Sequence, residues 1–144
     1  MNQIEATVKG ITKTDIVTYI DIECASTELR IIKSKAPIWL SKGDRVSCDF
    51  KEASVCVSKE CPGKISIENK ISATLIDVRK SGSLCELTFE SDLGKVISLI
   101  TTDAYDNLGL ALDCKATMLL RGVDIEISPV VKPLLFTTRT KYAN

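Results

Sequence analysis

Histidine is absent from this sequence, and that absence removes a large part of ordinary enzyme chemistry. Neither a Ser-His nor a Cys-His nucleophile pair can form within one chain. Aromatic residues are scarce, with three Phe, one Trp and three Tyr, so few rings are left for the stacking platforms that single-stranded nucleic acid requires. Net charge is missing as well. Nineteen Lys and Arg balance nineteen Asp and Glu, which removes the broad attraction for nucleic acid or anionic membranes. No apolar run approaches the roughly 20 residues of a spanning helix. The start, MNQIEATVKG, has an acidic residue and no apolar segment of the kind a secretory signal carries. With no Gly-rich phosphate loop or paired-carboxylate motif either, the expectation is a soluble cytoplasmic protein that is not an enzyme and holds no organic cofactor. Its partners are expected to be small or proteinaceous, with no membrane among them and nucleic acid disfavoured.

Six cysteines are present. Only Cys56 and Cys61 are closely spaced, and no second pair or histidine completes a zinc set, so no metal site is expected. Cys48 alternates with Val46 and Phe50, and Cys85 lies between Leu84 and Leu87. Those positions read as reduced core thiols.

The informative feature is an internal repeat. Asn2-Gln3-Ile4 followed by Ala6-Thr7-Val8 aligns with Asn69-Lys70-Ile71 followed by Ala73-Thr74-Leu75, an offset of 69 − 2 = 67. After a three-residue difference in a hairpin the offset becomes 113 − 43 = 70, carrying Leu40, Gly43, Val46 and Lys51 onto Leu110, Asp113, Ala116 and Arg121. Ile, Val and Thr enrichment with tight turns favours strands. The first copy reads as strands near 3–13, 15–23, 28–34, 45–51 and 54–58, with a helical turn around Pro37 to Leu40. The second reads as strands near 71–80, 83–90, 95–101, 114–121 and 124–127. Five strands with a helical turn between the third and fourth is the order of an OB-type barrel. The predicted fold is therefore all-β, two tandem OB-like five-stranded barrels: residues 1–60, a linker and motif start at 61–70, and residues 71–128. Pro62 and Gly63 break the linker. Residues 129–144, with Leu134, Leu135 and Phe136, are expected to dock on a barrel or a neighbouring subunit.

The stretch from Val96 to Gly122 organises the candidate site. A strand ends at Thr101, where Thr101, Thr102 and Asp103 supply capping side chains. A short helix stops at Asn107 to Gly109, and a new strand runs to Arg121. Thr101 and Arg121 are thereby placed at the ends of two neighbouring strands, where a hydroxyl, backbone amides and a guanidinium would converge on an oxyanion. Each residue also has a duller role. Thr101 serves as a helix N-cap, Arg121 and Lys51 as solvated strand ends, Ser66 as a turn residue, and Trp39 as a plug in the barrel bottom.

Residues SIENK at 66–70, then ISATLIDV, LITTDAYDNLGL and LLRG, resemble the molybdenum-binding Mop, or TOBE, domain, and the first copy joins that pattern with NQI at its start and FKE at Phe50 to Glu52. The resemblance covers residues 2 to about 127 and has the two-repeat layout of the cytoplasmic molbindins. It implies a homo-oligomer that holds molybdate or tungstate at subunit interfaces through amides, hydroxyls and basic side chains, for storage, buffering or homeostasis. Carried over by position, it implies Ser66, Asn69, Lys70, Thr101, Arg121 and Gly122 as oxyanion-binding residues, with Lys51 the first-copy equivalent of Arg121. Glu68 departs from the pattern: it stands where the motif has arginine, and a carboxylate there repels a dianion. Ile31 or Ile32 falls where the first copy would carry the threonine. Two other functions compete. One is an oxyanion-sensing module without its own DNA-binding domain, and the other is OB-type nucleic-acid binding.

Overall fold

In the computed structural model, which describes residues 1–130, burial alternates along the first strand from its start. In β1 (Asn2–Lys13) the side chains of Asn2, Ile4, Ala6 and Val8 are buried while Gln3, Glu5 and Lys9 are exposed, the period of two that a half-covered strand requires. β2 (Thr18–Cys24), β3 (Thr27–Lys33) and β4 (Arg45–Phe50) follow, then a 3-10 turn at Glu52–Ser54 and β5 (Cys56–Ser58). The second repeat gives β6 (Asn69–Ser81), β7 (Leu84–Ser91), β8 (Gly94–Thr101), a helix α1 (Thr102–Leu108), β9 (Lys115–Leu120), a 3-10 turn at Gly122–Asp124 and β10 (Glu126–Pro129).

The repeat is reproduced in detail. β1 shifts register against β2 between Val8 and Gly10, and β6 does the same against β7 between Leu75 and Asp77, positions related by the offset of 67. Gly43 has φ 94°, and its counterpart Asp113 keeps the left-handed conformation at φ 70°, which Asp tolerates better than most side chains. Both residues serve one purpose. The Gly43 amide donates to the Val8 carbonyl at 2.8 Å, and the Asp113 amide donates to the Leu75 carbonyl at 2.7 Å.

The strands do not sort into sheets as they sort along the chain. One five-stranded sheet has the order β10-β4-β1-β2-β3 and the other β5-β9-β6-β7-β8. The fifth strand of each sheet thus comes from the other repeat, which corrects the reading that each repeat supplies all five of its own. β10 pairs antiparallel to β4, with Ile127 opposite Cys48, and β5 pairs with β9, with Val57 opposite Met118. The reason is local. Each 3-10 turn leaves its own sheet and packs on the third strand of the other. At the second turn this needs glycine, because a Cβ on Gly122 would lie 2.5 Å from the Arg30 carbonyl oxygen. At the first turn the Ser98 hydroxyl on β8 donates to the Val55 carbonyl at 2.6 Å.

One continuous apolar cluster results, running from Ile4 through Phe50, Val55, Leu75, Phe89 and Met118 to Ile125. The asparagines that open β1 and β6 cross-link the two sheets. Asn69 accepts from the Arg30 amide at 2.7 Å and donates to the Arg30 carbonyl at 3.0 Å. Asn2 repeats this on Ile97, at 2.8 Å in both directions. These buried amides complete the hydrogen bonding of the outer edges of β3 and β8 where they would otherwise go without a strand partner.

The helical turn around Pro37 to Leu40 is a single hydrogen-bonded turn, the Leu40 amide donating to the Pro37 carbonyl at 3.1 Å, and one expectation within it changes. Leu40 rather than Trp39 is the plug: Leu40 is 8% exposed and Trp39 41%. The expected docking of the tail falls mostly on 131–144, outside the described residues, while Pro129 belongs to β10. No helix among the described residues is long and apolar enough to cross a membrane.

Candidate functional site

Lys51 and Arg121 occupy equivalent places. Each follows the last residue of its strand in extended conformation, at φ −74° and −75°, and each carbonyl accepts from an amide three residues on, Ser54 or Asp124, at 3.0 Å. Beside each turn lies a cleft. One, of about 210 Å³, is bordered by Lys51, Asp49, Glu126 and Val123. The other, of about 180 Å³, is bordered by Arg121, Leu119, Cys56 and Ala53. The offset of 70 exchanges these residues pair by pair, so the clefts are one site seen twice across a pseudo-twofold axis. Ser54 and Asp124 border both.

The charges within the two clefts are not equivalent. The Arg121 guanidinium donates to Asp124 at 3.0 Å and 3.3 Å, and the arginine side chain is 62% exposed, so the pair stabilises the fold by no more than about 1 kcal/mol. The Gly122 amide donates to Glu68 Oε1 at 2.7 Å. Lys51 makes no ion pair among the described residues. In its cleft Glu126 is held by Lys33 at 2.8 Å, and the chain's amino group pairs with Glu52. That hydrogen bond from the amino terminus is the main reason the Glu52 carboxyl sits below its ordinary value. Asp49 Oδ1 is buried without a hydrogen-bond partner among the described residues. The Arg30 guanidinium, raised chiefly by its hydrogen bond to Asp21, also feels the Glu68 carboxylate, which places that carboxylate within electrostatic reach of β3.

The other expected residues divide between this region and the far end of the sheet. Asn69, 3% exposed, spends its amide on the β3 backbone. Lys70 is exposed and its ammonium lies 3.4 Å from the Pro62 carbonyl. Ser66 lies exposed in the segment before β6. Thr101 accepts from the Ala104 amide at 3.1 Å as the N-cap of α1, its duller role. It does not meet Arg121. β8 and β9 are separated by β6 and β7 in the sheet. Leu120 pairs with Asn69 at one end of β6, while Thr101 pairs with Leu84 beside the hairpin at the other end. The 13 residues of β6 span roughly 40 Å of contour at about 3.3 Å each. The convergence expected from chain order is therefore corrected: within one chain the arginine and the threonine lie at opposite ends of the sheet.

Sequence reasoning missed Asp124. Its spacing of three from Arg121 was the available signal, since a turn brings such positions together. Chemically the arrangement offers paired clefts with one basic side chain each, backbone amides, and carboxylates in competition for both. Among the described residues no cluster of three or more ligating side chains suits a metal ion.

No protein-family model matches the sequence, and no curated protein matches it. Among solved structures the chain is similar to ModG, a cytoplasmic molybdate-binding protein whose structure holds bound molybdate. The identity is 18% and the TM-score 0.83, over 90% of this chain and 96% of the other. The shared property is the fold, matched across almost the full length of both chains.

Proposed function

We propose that this chain is a non-enzymatic cytoplasmic binding protein for molybdate- or tungstate-type oxyanions, that it stores or buffers them, and that it works as a homo-oligomer with anions held where subunits meet. The observation that carries the reading is the full-length structural likeness to ModG at a TM-score of 0.83. The sheet order, with the edge strands β5 and β8 drawn together across the Ser98 to Val55 bond, supports an OB-like barrel for each half. Lys51 and Arg121 supply one cation at each equivalent cleft, and a tetrahedral dianion is well served by few charges and several neutral donors. On the Arg121 side the proposed donors are Ser66, Lys70 and the Gly122 amide, with Asn69 holding the start of β6 against β3. Thr101, at the other end of β6, contributes from a second copy of the chain.

The carboxylates set the terms of binding. Asp124 occupies Arg121 and Glu68 occupies the Gly122 amide, so an incoming oxyanion displaces both. Titration calorimetry with molybdate, tungstate and sulfate tests the reading. Heat is expected with the first two at micromolar concentration and much less with sulfate. Arg121→Ala and Lys51→Ala weaken binding, and Glu68→Ala strengthens it by roughly three- to tenfold through removal of a competing charge-assisted hydrogen bond. Absence of heat with every anion refutes the proposal.

A further inference from the structure

The outer face of the second sheet holds a polar cleft of about 340 Å³ that the oxyanion reading does not use. Its floor is made of hydroxyls, Ser72 and Thr74 on β6 and Thr117 on β9. Lys115 stands at one side and Glu90 at the other; Lys59 and Asp92 also border the cleft, but Lys59 donates to the Gly109 carbonyl at 3.0 Å and Asp92 accepts from the Ser26 and Thr27 hydroxyls at 3.0 and 3.2 Å. Thr74 pairs with Lys115 across one neighbour and with Glu90 across the other, so the three form a single row. Two inter-strand steps, roughly 10 Å, separate the backbone positions of the opposite charges. Lys95 lies one strand further along the same row and borders no part of the cleft.

The first repeat acts as an internal control, because its corresponding row is Arg45, Thr7 and Glu23. There the charges neutralise one another. Arg45 donates to the Thr7 hydroxyl at 3.3 Å and pairs with Glu5 at 3.7 Å, while Glu23 takes Lys9 at 3.8 Å. In the second repeat Ser72 stands in place of Glu5 and Ile76 in place of Lys9. Both neutralising partners are gone. Neither Lys115 nor Glu90 makes an ion pair among the described residues. Thr117, only 5% exposed as a residue, borders the cleft beside them. One substitution pattern has thus opened a row of opposite charges over a hydroxyl floor.

We infer that this cleft binds a small zwitterion of the amino-acid class, its anionic group on Lys115 and the floor hydroxyls, its ammonium on Glu90. A simple anion would gain Lys115 but meet Glu90, and a simple cation the reverse. Only a ligand with both charges satisfies the row. At about 30 Å³ for each water displaced, the cleft suits a molecule of roughly ten non-hydrogen atoms. L-glutamine has that size, and a conformer that separates its charged groups from the amide leaves the latter to the hydroxyls.

The test is amide chemical-shift mapping on the full isotope-labelled chain, with L-glutamine, L-arginine and taurine as zwitterions, and acetate and ethylammonium as half-ligands. Saturable shifts confined to Ser72, Thr74, Glu90, Lys115 and Thr117 are expected with at least one zwitterion, with each half-ligand weaker by roughly tenfold or more. Lys115→Ser and Glu90→Gln, both at exposed positions that leave the fold intact, should each abolish saturation. Glu5→Ser with Lys9→Ile is expected to create a second responding region at Thr7 and Arg45. No saturable shift with any zwitterion, or acetate binding as tightly as the zwitterions, overturns the inference. The oxyanion reading is untouched by either result, since it concerns the clefts beside the 3-10 turns, at the other end of β9.

Discussion

Gly122 shows how a single residue decides the path of the chain. A methyl group there would lie 2.5 Å from the Arg30 carbonyl oxygen and 3.0 Å from Ile32, atoms of a strand that cannot retreat without unpairing from β2. Gly122→Ala is therefore expected to lower stability by about 1–3 kcal/mol, an overpacking cost, measured as a drop in the urea midpoint. An unchanged midpoint would mean that the second 3-10 turn can lift off β3 freely. From the sequence this glycine looked like a ligand position, because the Mop resemblance carried a role onto it. The steric reason for it lay in a contact 92 residues away (Arg30 to Gly122), which no local pattern records. Glu68 was different. Its conflict with an oxyanion was legible from residue type alone, and only its partner, the Gly122 amide, was not. Cys48 was also legible as a core thiol. It is fully buried, and burial foremost, with Asp49 and Cys24 adding to it, pushes its thiol up to about 12. The neutral thiol is favoured in the fold, so its contribution to stability is complete below the ordinary value of 9.0 and is lost as pH rises from there towards 12. At pH 8 a thiol reagent is expected to modify the exposed Cys56 and Cys61 and to leave Cys48 untouched, as mass spectrometry of the folded protein would show.

At the level of elements, strand positions were close to readable while strand partners were not. Period-two alternation placed the eight longer strands within about three residues of their observed limits, because one face of each is covered along most of its length. The short fifth strands were also located, yet assigned to the wrong sheets. Alternation specifies which side chains point inward, and it is silent on which sheet lies inside. The helical turn expected at Pro37 to Leu40 is a single turn, the Leu40 amide donating to the Pro37 carbonyl at 3.1 Å, while its counterpart in the second repeat extends into α1 behind the Thr101 cap. Strand exchange makes a specific expectation. Pro129 opposite Val46 has no N–H to give, so in the alternating ladder Ser128 opposite Ser47 is a hydrogen-bonded pair; Ser128→Pro removes that donor, and the loss should appear as faster amide hydrogen exchange in β4 of the first repeat, Val46 to Phe50, with β9 little changed. Faster exchange confined to the second repeat would contradict the exchanged topology.

For the molecule as a whole, doubling and exchange together turn two small units into one core. Each unit alone covers little apolar surface, whereas the cluster running from Ile4 to Ile125 draws on both sheets, and the two asparagine clamps tie them at mirrored positions. The same symmetry produces two clefts with one basic residue each, and the divergence of the repeats has given them different surroundings: Arg121 faces Asp124, and Lys51 stands without an ion pair among the described residues. The most direct measurement of whether such clefts take a tetrahedral oxyanion is equilibrium dialysis of the purified chain against micromolar molybdate, with bound molybdenum counted per chain by elemental analysis and excess sulfate present. The account predicts molybdenum retained in fixed proportion to protein and lost when Lys51 and Arg121 are both replaced by alanine. Molybdenum at the same level on both sides of the membrane would contradict it.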